Sequence, residues 1–409
     1  MKSLALKLLD EFESHISAKL FFPSKGDPVW HSRGFTGLHC VAYLGIDEIA
    51  EALLHMKDRD VGKPDCIGRT PLILASKKGC EGIIKLLTEK AGANVNMKDT
   101  MCSQTALSCA AYYGQEGAVK LLLEQAEVDS ELRDGSGQTP LSYAAEGGRA
   151  GTLKLLLERG EVDPESRDKY GRTPLSHAAG GGNAETLKLL LERREVDPDS
   201  RDDDGRTPLS YAAEWGNEEK VKLLLDQEKV DPESRDDDGR TPFSYAAKCR
   251  REEIVKLFLE RSEVDPESRD DDGRTPLSRA AEGGGVGTLK LLLERREVDP
   301  ESQDGGGRTP LSYAAEWGNE EIVKLLLGRG KVGPESRDDD GRTPLAYAAR
   351  CGSEGVVKLL LEWSEVDPES RDNDGRTPLS YAARCGSEGI VKLLLRRGEV
   401  DPQSPDDND

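Results

Sequence analysis

Apolar residues recur along the chain in two short blocks separated by polar and charged stretches. In the segment that begins at Thr207, the first block reads TPLSYAA (207–213) and the second reads VKLLL (221–225). The first block places a leucine and two alanines on one side of a helix, and the second gives the i, i+3, i+4 stripe of another helix. Neither helix could bury its stripe alone. The pattern therefore predicts helix pairs that pack against neighbouring pairs.

Turn and capping residues frame the two helices. The Asp-Gly dipeptide at 204–205 is a tight-turn signal, because its glycine is free to take a positive φ. Thr207 suits the N-cap of the first helix and Pro208 suits its first position. The first helix is expected to end near Gly216, and Pro232 prevents the second helix from continuing. Each unit is predicted to be a turn, a helix, a short reversal, a helix and a loop.

The unit repeats at a fixed period along nearly the whole chain. The threonines that open the first helices lie 34 residues apart, except for one interval of 35. These threonines are Thr36, Thr70, Thr105, Thr139, Thr173, Thr207, Thr241, Thr275, Thr309, Thr343 and Thr377. Eleven copies predict an all-α solenoid of helix-turn-helix units with short hairpin-like loops. Because a solenoid core grows in one dimension, 409 residues need not divide into several globules.

The blocks TPLSYAA and VKLLL, following the DGR of residues 204–206, resemble the ankyrin repeat, in long arrays of the kind common in fungi. The resemblance covers roughly residues 33–401. It implies a curved solenoid whose hairpin tips and first-helix surfaces form a concave face for protein partners. Two features depart from the family pattern. Each unit is one residue longer than the usual 33, in the loop that contains VDPES, and the histidine expected after T-P-L remains only as His39.

The array of residues 33–401 is expected to be one domain with a segment at each end. Before it, residues 1–32 carry Leu4, Leu8, Phe12, Ile16 and Leu20 on one helical face, which predicts a capping helix and linker. The alternative is the edge of an upstream domain, as in the ankyrin tails of NACHT-type signalling receptors, although the chain has no P-loop motif. After the array, residues 402–409 form an acidic tail.

The acidic charge bounds the choice of partner. The formal net charge is −21, and acid is concentrated in the hairpin tips, as in the DDD of residues 202–204, 236–238 and 270–272. This balance argues against nucleic acid and anionic membranes, which require a basic surface. The tips are expected to line up as a solvated rim, or alternatively to steer a partner with a basic segment. The carboxylates of the exposed loops are expected to keep ordinary pKa values.

Positions that vary while the scaffold stays fixed are the candidate partner contacts. The pair of residues before the glycine that ends each first helix is such a place, and it is expected to point into the groove. The predicted partner-binding residues are Tyr43, Leu44, Lys77, Lys78, Tyr112, Tyr113, Trp215, Lys248, Arg250, Trp317, Arg350 and Arg384. Exposed Trp and Tyr on a fixed scaffold are good interface anchors. The alternative for each tryptophan is partial burial against the next repeat, and the recurrent first-helix tyrosines, such as Tyr211, are expected to belong mainly to the core.

The search for chemistry gives little. The five histidines are scattered without metal-ligand spacing, and none recurs beside a cysteine or serine in a way that suggests a nucleophile and its base. No catalytic, cofactor-binding or metal-binding residue is therefore predicted, and no cofactor. Residues 1–22 lack a signal peptide and no run of residues is apolar enough to span a membrane. The eight cysteines are expected to be reduced, which favours the cytoplasm or the nucleus.

The leading hypothesis is a non-enzymatic protein-interaction scaffold that holds a partner on its concave first-helix surface and acidic tips. A receptor tail that acts as a sensor or regulatory module is the first alternative. An enzyme with a site in the divergent first three repeats, near Tyr112 and Tyr113, is the second. The protein is expected to be a monomer, with end-to-end association through the apolar last helix as the alternative.

Overall fold

Helix pairs follow one another through the part of the chain that the structure describes. The computed structural model describes residues 34–56, 60–330 and 332–396, and these residues contain 22 α-helices and no strand. The predicted all-α solenoid fold is confirmed. The predicted capping helix of residues 1–32 and the acidic tail of residues 402–409 lie outside the described residues. Two compact units, Met1–Asp203 and Asp204–Asp409, are described separately below.

The first unit contains ten of the helices, taken here in pairs of a first and a second helix. They are α1 (Gly37–Leu44) and α2 (Asp47–Leu54), α3 (Pro71–Lys78) and α4 (Glu81–Lys85), α5 (Ala106–Tyr113) and α6 (Glu116–Leu123), α7 (Pro140–Glu146) and α8 (Ala150–Leu157), α9 (Pro174–Gly180) and α10 (Ala184–Leu191). Helix α4 continues into a π-helix over Leu86–Lys90, in the repeat that has the extra residue.

The second unit continues the same alternation. Its helices are α11 (Pro208–Trp215) and α12 (Glu218–Leu225), α13 (Pro242–Lys248) and α14 (Glu252–Leu259), α15 (Pro276–Gly283) and α16 (Val286–Leu293), α17 (Pro310–Glu316) and α18 (Glu320–Leu327), α19 (Pro344–Arg350) and α20 (Glu354–Leu361), α21 (Pro378–Arg384) and α22 (Glu388–Leu395).

The predicted turn and cap residues perform the expected roles. Gly205 has a φ of 76° in the hairpin turn, and Gly216 ends α11 with a φ of 82°. The Thr207 hydroxyl caps α11 by accepting from the backbone N–H of Ser210 at 3.4 Å. It also lies 3.3 Å from the hydroxyl of Ser234 in the loop that leaves the same repeat. The buried Thr207 hydroxyl thus has two partners, which fix the start of the first helix against the loop.

Small residues let the first helices approach one another. Ala212 and Ala213 of α11 are fully buried, as are Leu209 on the same helix and Leu224 on α12. Within the second unit, each first helix packs on the first helix of the next repeat, as α11 does on α13 and α17 on α19. The second helices form a parallel outer layer. The apolar stripes are therefore buried between repeats, as the pattern predicts.

Candidate partner-binding surface

The predicted contact residues lie where the first helices end. In α11 the alanine pair faces the core, and the helix then ends two residues later, before Gly216, which has a positive φ. Trp215 and Trp317 are 63% and 59% exposed, so the structure supports the exposed alternative for both. Leu44 and Tyr113 are also exposed. Large apolar side chains are thus presented to solvent on ordered helices.

In the first unit the structure brings several of the predicted residues into contact. The ammonium group of Lys78 lies 4.2 Å from the ring centroid of Tyr43, and that of Lys77 lies 5.0 Å from the ring of Tyr113. Tyr113 in turn packs edge-on against Tyr112, with ring centroids 5.2 Å apart. These cation–π and aromatic contacts join the ends of α1, α3 and α5 into one strip. We call these five residues the tyrosine–lysine strip.

In the second unit, equivalent positions in adjacent repeats are joined by ion pairs. The Lys248 ammonium lies 2.9 Å from the Glu282 carboxylate, and the Arg350 guanidinium lies 2.6 Å from that of Glu316. Arg250 donates from Nε to the carbonyl of Gly283 at 2.5 Å. Each of these predicted cations therefore contacts a helix end of an adjacent repeat.

An arginine stacked between two tyrosines lies beside each exposed tryptophan, and this feature was not anticipated from the sequence. The Arg206 guanidinium lies 4.2 Å from the ring centroid of Tyr211 in its own repeat and 4.5 Å from that of Tyr245 in the next. It also forms an ion pair with Glu214, the residue before Trp215. The stack fixes the end of α11 through contacts on both sides, since a guanidinium can stack and pair at once.

The same arrangement recurs at the second tryptophan. Arg308 lies 4.0 Å from the ring centroid of Tyr313 and 4.4 Å from that of Tyr347, and it forms an ion pair with Glu316. Glu316 precedes Trp317 on α17. The recurrent tyrosines were expected to belong mainly to the core. Tyr211 and Tyr245 are half-buried and also stack on a cation, so their role is wider. The signal in the sequence was the arginine that precedes most of the opening threonines, such as Arg206 before Thr207.

The structure does not gather all the predicted residues in one place. Trp215 is the last residue of α11 and Trp317 directly follows α17, and the first helices α13 and α15 come between them in the stack. Arg384 is exposed at the end of α21, two repeats beyond Trp317. The predicted residues of the second unit therefore form separated contact points along a row of helix ends.

The hairpin tips differ from the predicted solvated rim. The first aspartate of each triplet is buried: Asp236 is only 8% exposed. Its Oδ1 accepts from the backbone N–H groups of Asp238 and Arg240 at 3.0 and 2.7 Å, and its Oδ2 accepts from the hydroxyl of Tyr245 at 2.6 Å. The third aspartate, Asp238, forms an ion pair with Arg240 at 2.6 Å. Two of the three carboxylates are thus committed within the repeat.

The buried aspartate has a partner at the same first-helix position in other repeats. Tyr143 donates to Asp134, and Tyr347 and Tyr381 donate to their own aspartates at 2.5 Å. Where the tyrosine is replaced, His177 and Arg279 contact the aspartate instead. Burial and the Asp236 carboxylate raise the pKa of Tyr245 to about 12, which keeps its hydroxyl protonated as a donor.

The expectation of ordinary carboxylate pKa values is wrong for the VDPES loops. Burial raises the pKa of Glu233 to about 7, although the hydrogen bond that its carboxylate accepts from the backbone N–H of Asp265 in the next repeat lowers the pKa. Burial likewise raises the pKa of the equivalent glutamates, namely Glu131, Glu165, Glu267, Glu301 and Glu335. The loops pack closely enough to desolvate one carboxylate per repeat.

We expect Glu233→Gln to stabilise the protein at pH 8 and to have no effect near pH 4. A raised folded-state pKa means that folding favours the protonated carboxyl, so this stability is complete below about pH 4.5 and is lost as the pH rises through 7. Glutamine retains the Oε1 acceptor and mimics the protonated form. Because the side chain is half-exposed, screening should keep the gain below about 1 kcal/mol. Urea unfolding at both pH values measures it, with the exposed Glu228→Gln as control; a gain that does not depend on pH would contradict the prediction.

The histidines that the structure describes in detail have structural contacts. His39 lies between the Thr36 hydroxyl and the carbonyl of Arg69, at 2.8 and 3.0 Å, and burial lowers its pKa to about 4. His177 lies 3.1 Å from Asp168. Among the described residues, no group of three His, Cys, Asp or Glu side chains could hold a metal ion, and all eight cysteines are free thiols.

A cleft beside the second helices is occupied by structural contacts. Its volume is about 570 Å³, and its lining includes Leu293, Arg295, Val298 and Arg329. Arg295 donates to the carbonyl of Leu259 at 2.7 Å, and Arg329 donates to that of Leu293 at 2.6 Å. Each guanidinium therefore caps the second helix of the preceding repeat. This use of the arginines argues against an anion site in the cleft.

Comparison with known protein families identifies one motif along the chain. The family described as ankyrin repeats (3 copies) matches residues 11–99, 91–168, 151–236, 175–270, 220–304, 262–334 and 330–406. No curated protein shows significant similarity to the chain. Among the helices that the structure describes, none is both long and apolar enough to cross a membrane.

Proposed function

The chain belongs to the ankyrin repeat family, whose repeats are generally protein–protein interaction modules, and on that premise we propose that it is a non-enzymatic scaffold. Its partner is a protein that contacts the exposed ends of the first helices. The observation that carries the proposal is the exposure of Trp215 and Trp317 beside arginine–tyrosine stacks.

The stacks matter because they reduce the cost of binding. A side chain that is already fixed loses little conformational entropy when a partner covers it. Arg206 and Arg308 hold the helix ends that carry the tryptophans, so each indole is offered from a rigid base. Tryptophan, tyrosine and arginine are also the residues that most often dominate binding energy at interfaces. The tyrosine–lysine strip offers the same residue types in the first unit.

The contacts within the hairpin tips support only a secondary role for the tips in binding. Asp236 is buried and Asp238 is paired with Arg240, so each triplet offers less free negative charge than its sequence suggests. We therefore assign the principal contact to the first-helix ends and propose only that the tips make a secondary contact with basic groups elsewhere on the partner. The free thiols fit a reducing compartment, so we place the protein inside the cell, in the cytoplasm or the nucleus.

Replacing both exposed tryptophans is expected to abolish most of the partner capture. We expect Trp215→Ala together with Trp317→Ala to lower the yield of specifically captured proteins from source cells at least tenfold, because each indole is an anchor. Circular dichroism should show unchanged helical content, since both side chains are largely outside the core.

The matched control is Trp363→Ala. Trp363 is 37% exposed and follows the second helix α20, so it tests the loss of an indole at another place on the surface. Its capture profile should equal that of the parent protein. If the double variant retained the parent's set of captured proteins, the first-helix ends would not be the binding surface.

A further inference from the structure

A second period, three repeats long, is present in the second unit. Segments 207–240 and 309–342 are identical except at positions 220, 226, 227, 228 and 231 of the first copy. Adjacent repeats differ more, and above all at the helix ends: EW ends the first helix at 214–215 and 316–317, whereas KC and RC follow at 248–249 and 350–351. The contact positions therefore repeat as a block, in addition to the scaffold.

The two blocks share an exposed tryptophan, an arginine stacked between two tyrosines, and a cation in the next repeat that pairs with Glu282 in the first block and with Glu316 in the second. We call each tryptophan, with its stacked arginine and the cation of the next repeat, a station. Station one is Trp215 with Arg206 and Lys248, and station two is Trp317 with Arg308 and Arg350. The tryptophans are exposed to the same extent, 63% and 59%. The two stations therefore offer a partner the same chemistry twice.

The spacing of the stations sets the length of the partner segment. Packed helices lie about 8–10 Å apart, so three repeats separate the stations by about 24–30 Å. An extended chain advances about 3.3 Å per residue, so about seven to nine residues cover that distance. An α-helix advances about 1.5 Å per residue and would need about 16–20 residues for the same distance. An extended segment therefore connects two anchors with the fewest ordered residues.

The charge at the stations favours an acidic segment. The carboxylates of this row are already neutralised: Glu214 by Arg206, Glu282 by Lys248, and Glu316 by Arg308 and Arg350. Further cations lie along the same helix ends, namely Arg250, Arg251 and Arg384. The chain as a whole is strongly acidic, but charges farther away than about 8 Å are largely screened at physiological salt. At the ends of the first helices in this unit, cations therefore outnumber carboxylates.

We propose that the second unit binds an extended acidic protein segment that carries two large apolar anchors about seven to nine residues apart, one on each station. The inference rests on the proposed function and adds to it the register and the charge of the partner segment. Two anchors on one segment bind at a high effective concentration, so the pair is much tighter than either anchor alone.

The test is selection of a displayed library of random 16-residue peptides on the full chain, followed by sequencing of the enriched pool. We expect pairs of aromatic or large aliphatic residues separated by seven to nine positions, with Asp and Glu enriched between them. Fluorescence polarisation of an enriched peptide should show at least tenfold weaker binding to Trp215→Ala and to Trp317→Ala, by similar factors. Trp363→Ala should bind as the parent does, and higher salt should weaken binding.

Different failures have different meanings. The enriched peptides could lose binding to the tryptophan variants and yet show only one anchor, no preferred spacing, or an excess of Lys and Arg. Any of these results would overturn this inference and leave the proposed function standing. Peptides that bind the double tryptophan variant as well as the parent would overturn both. A pool without enrichment would also count against the two-anchor segment, and the capture experiment would then decide the proposed function by itself.

Discussion

Asp236→Ala is expected to lower the free energy of unfolding by about 2–4 kcal/mol, although Asp236 belongs to a run of three aspartates at a loop tip. The carboxylate accepts from the backbone N–H groups of Asp238 and Arg240 and from the hydroxyl of Tyr245. Alanine leaves all three donors without that acceptor in a place that is nearly closed to water. Each buried donor without a partner costs on the order of 1–3 kcal/mol, and partial hydration of the turn reduces the sum.

The neighbouring aspartate provides the control. Asp237 is exposed, and its backbone N–H bonds to the carbonyl of Asp204 whatever its side chain. Asp237→Ala should therefore change stability by less than about 0.5 kcal/mol. Urea unfolding followed by circular dichroism measures both variants, and equal losses would show that the first aspartate has no special role. Asp236→Asn should fall between them, because the amide keeps one acceptor oxygen.

The sequence was sufficient to predict the local structure, because the relevant interactions are local. Gly205, Thr207 and Ala212 act through their own turn, cap and helix face, and each role follows from residue type and position. The sequence left exposure and partial burial of Trp215 as alternatives, and the structure shows the side chain exposed.

The interactions that were missed join residues in different repeats or hide polar groups among polar neighbours. The stack of Arg206 on Tyr245 depends on which side chains meet across two repeats, and this register is not visible within one unit. Asp236 resembled the solvated aspartates beside it, although an aspartate that precedes a glycine by three residues is a known acceptor for the turn's own N–H groups. The raised pKa of Glu233 arises from burial between loops, which no single repeat reveals.

Two near-identical repeats differ in whether they bury a charged or an apolar residue at the same position. Lys220 of α12 is 2% exposed, and the equivalent residue of α18 is Ile322, which is fully buried. Burial lowers the pKa of Lys220 to about 8. We therefore expect Lys220→Ile to raise the free energy of unfolding by about 2 kcal/mol at pH 7, because it removes the cost of keeping an ammonium group out of water.

The dependence on pH distinguishes this cause from better packing alone. The unfolded lysine has an ordinary pKa of 10.5, so between about pH 8 and 10.5 the unfolded chain binds more protons than the folded one. The free energy of unfolding of the parent should therefore rise through this pH window relative to that of Lys220→Ile. The difference in stability between the two proteins should narrow. Lys222→Ile, which removes an exposed lysine of the same helix, should give no gain. Urea unfolding at pH 7, 8.5 and 10 measures this difference, and a difference that stays constant would mean that the buried charge costs the parent nothing.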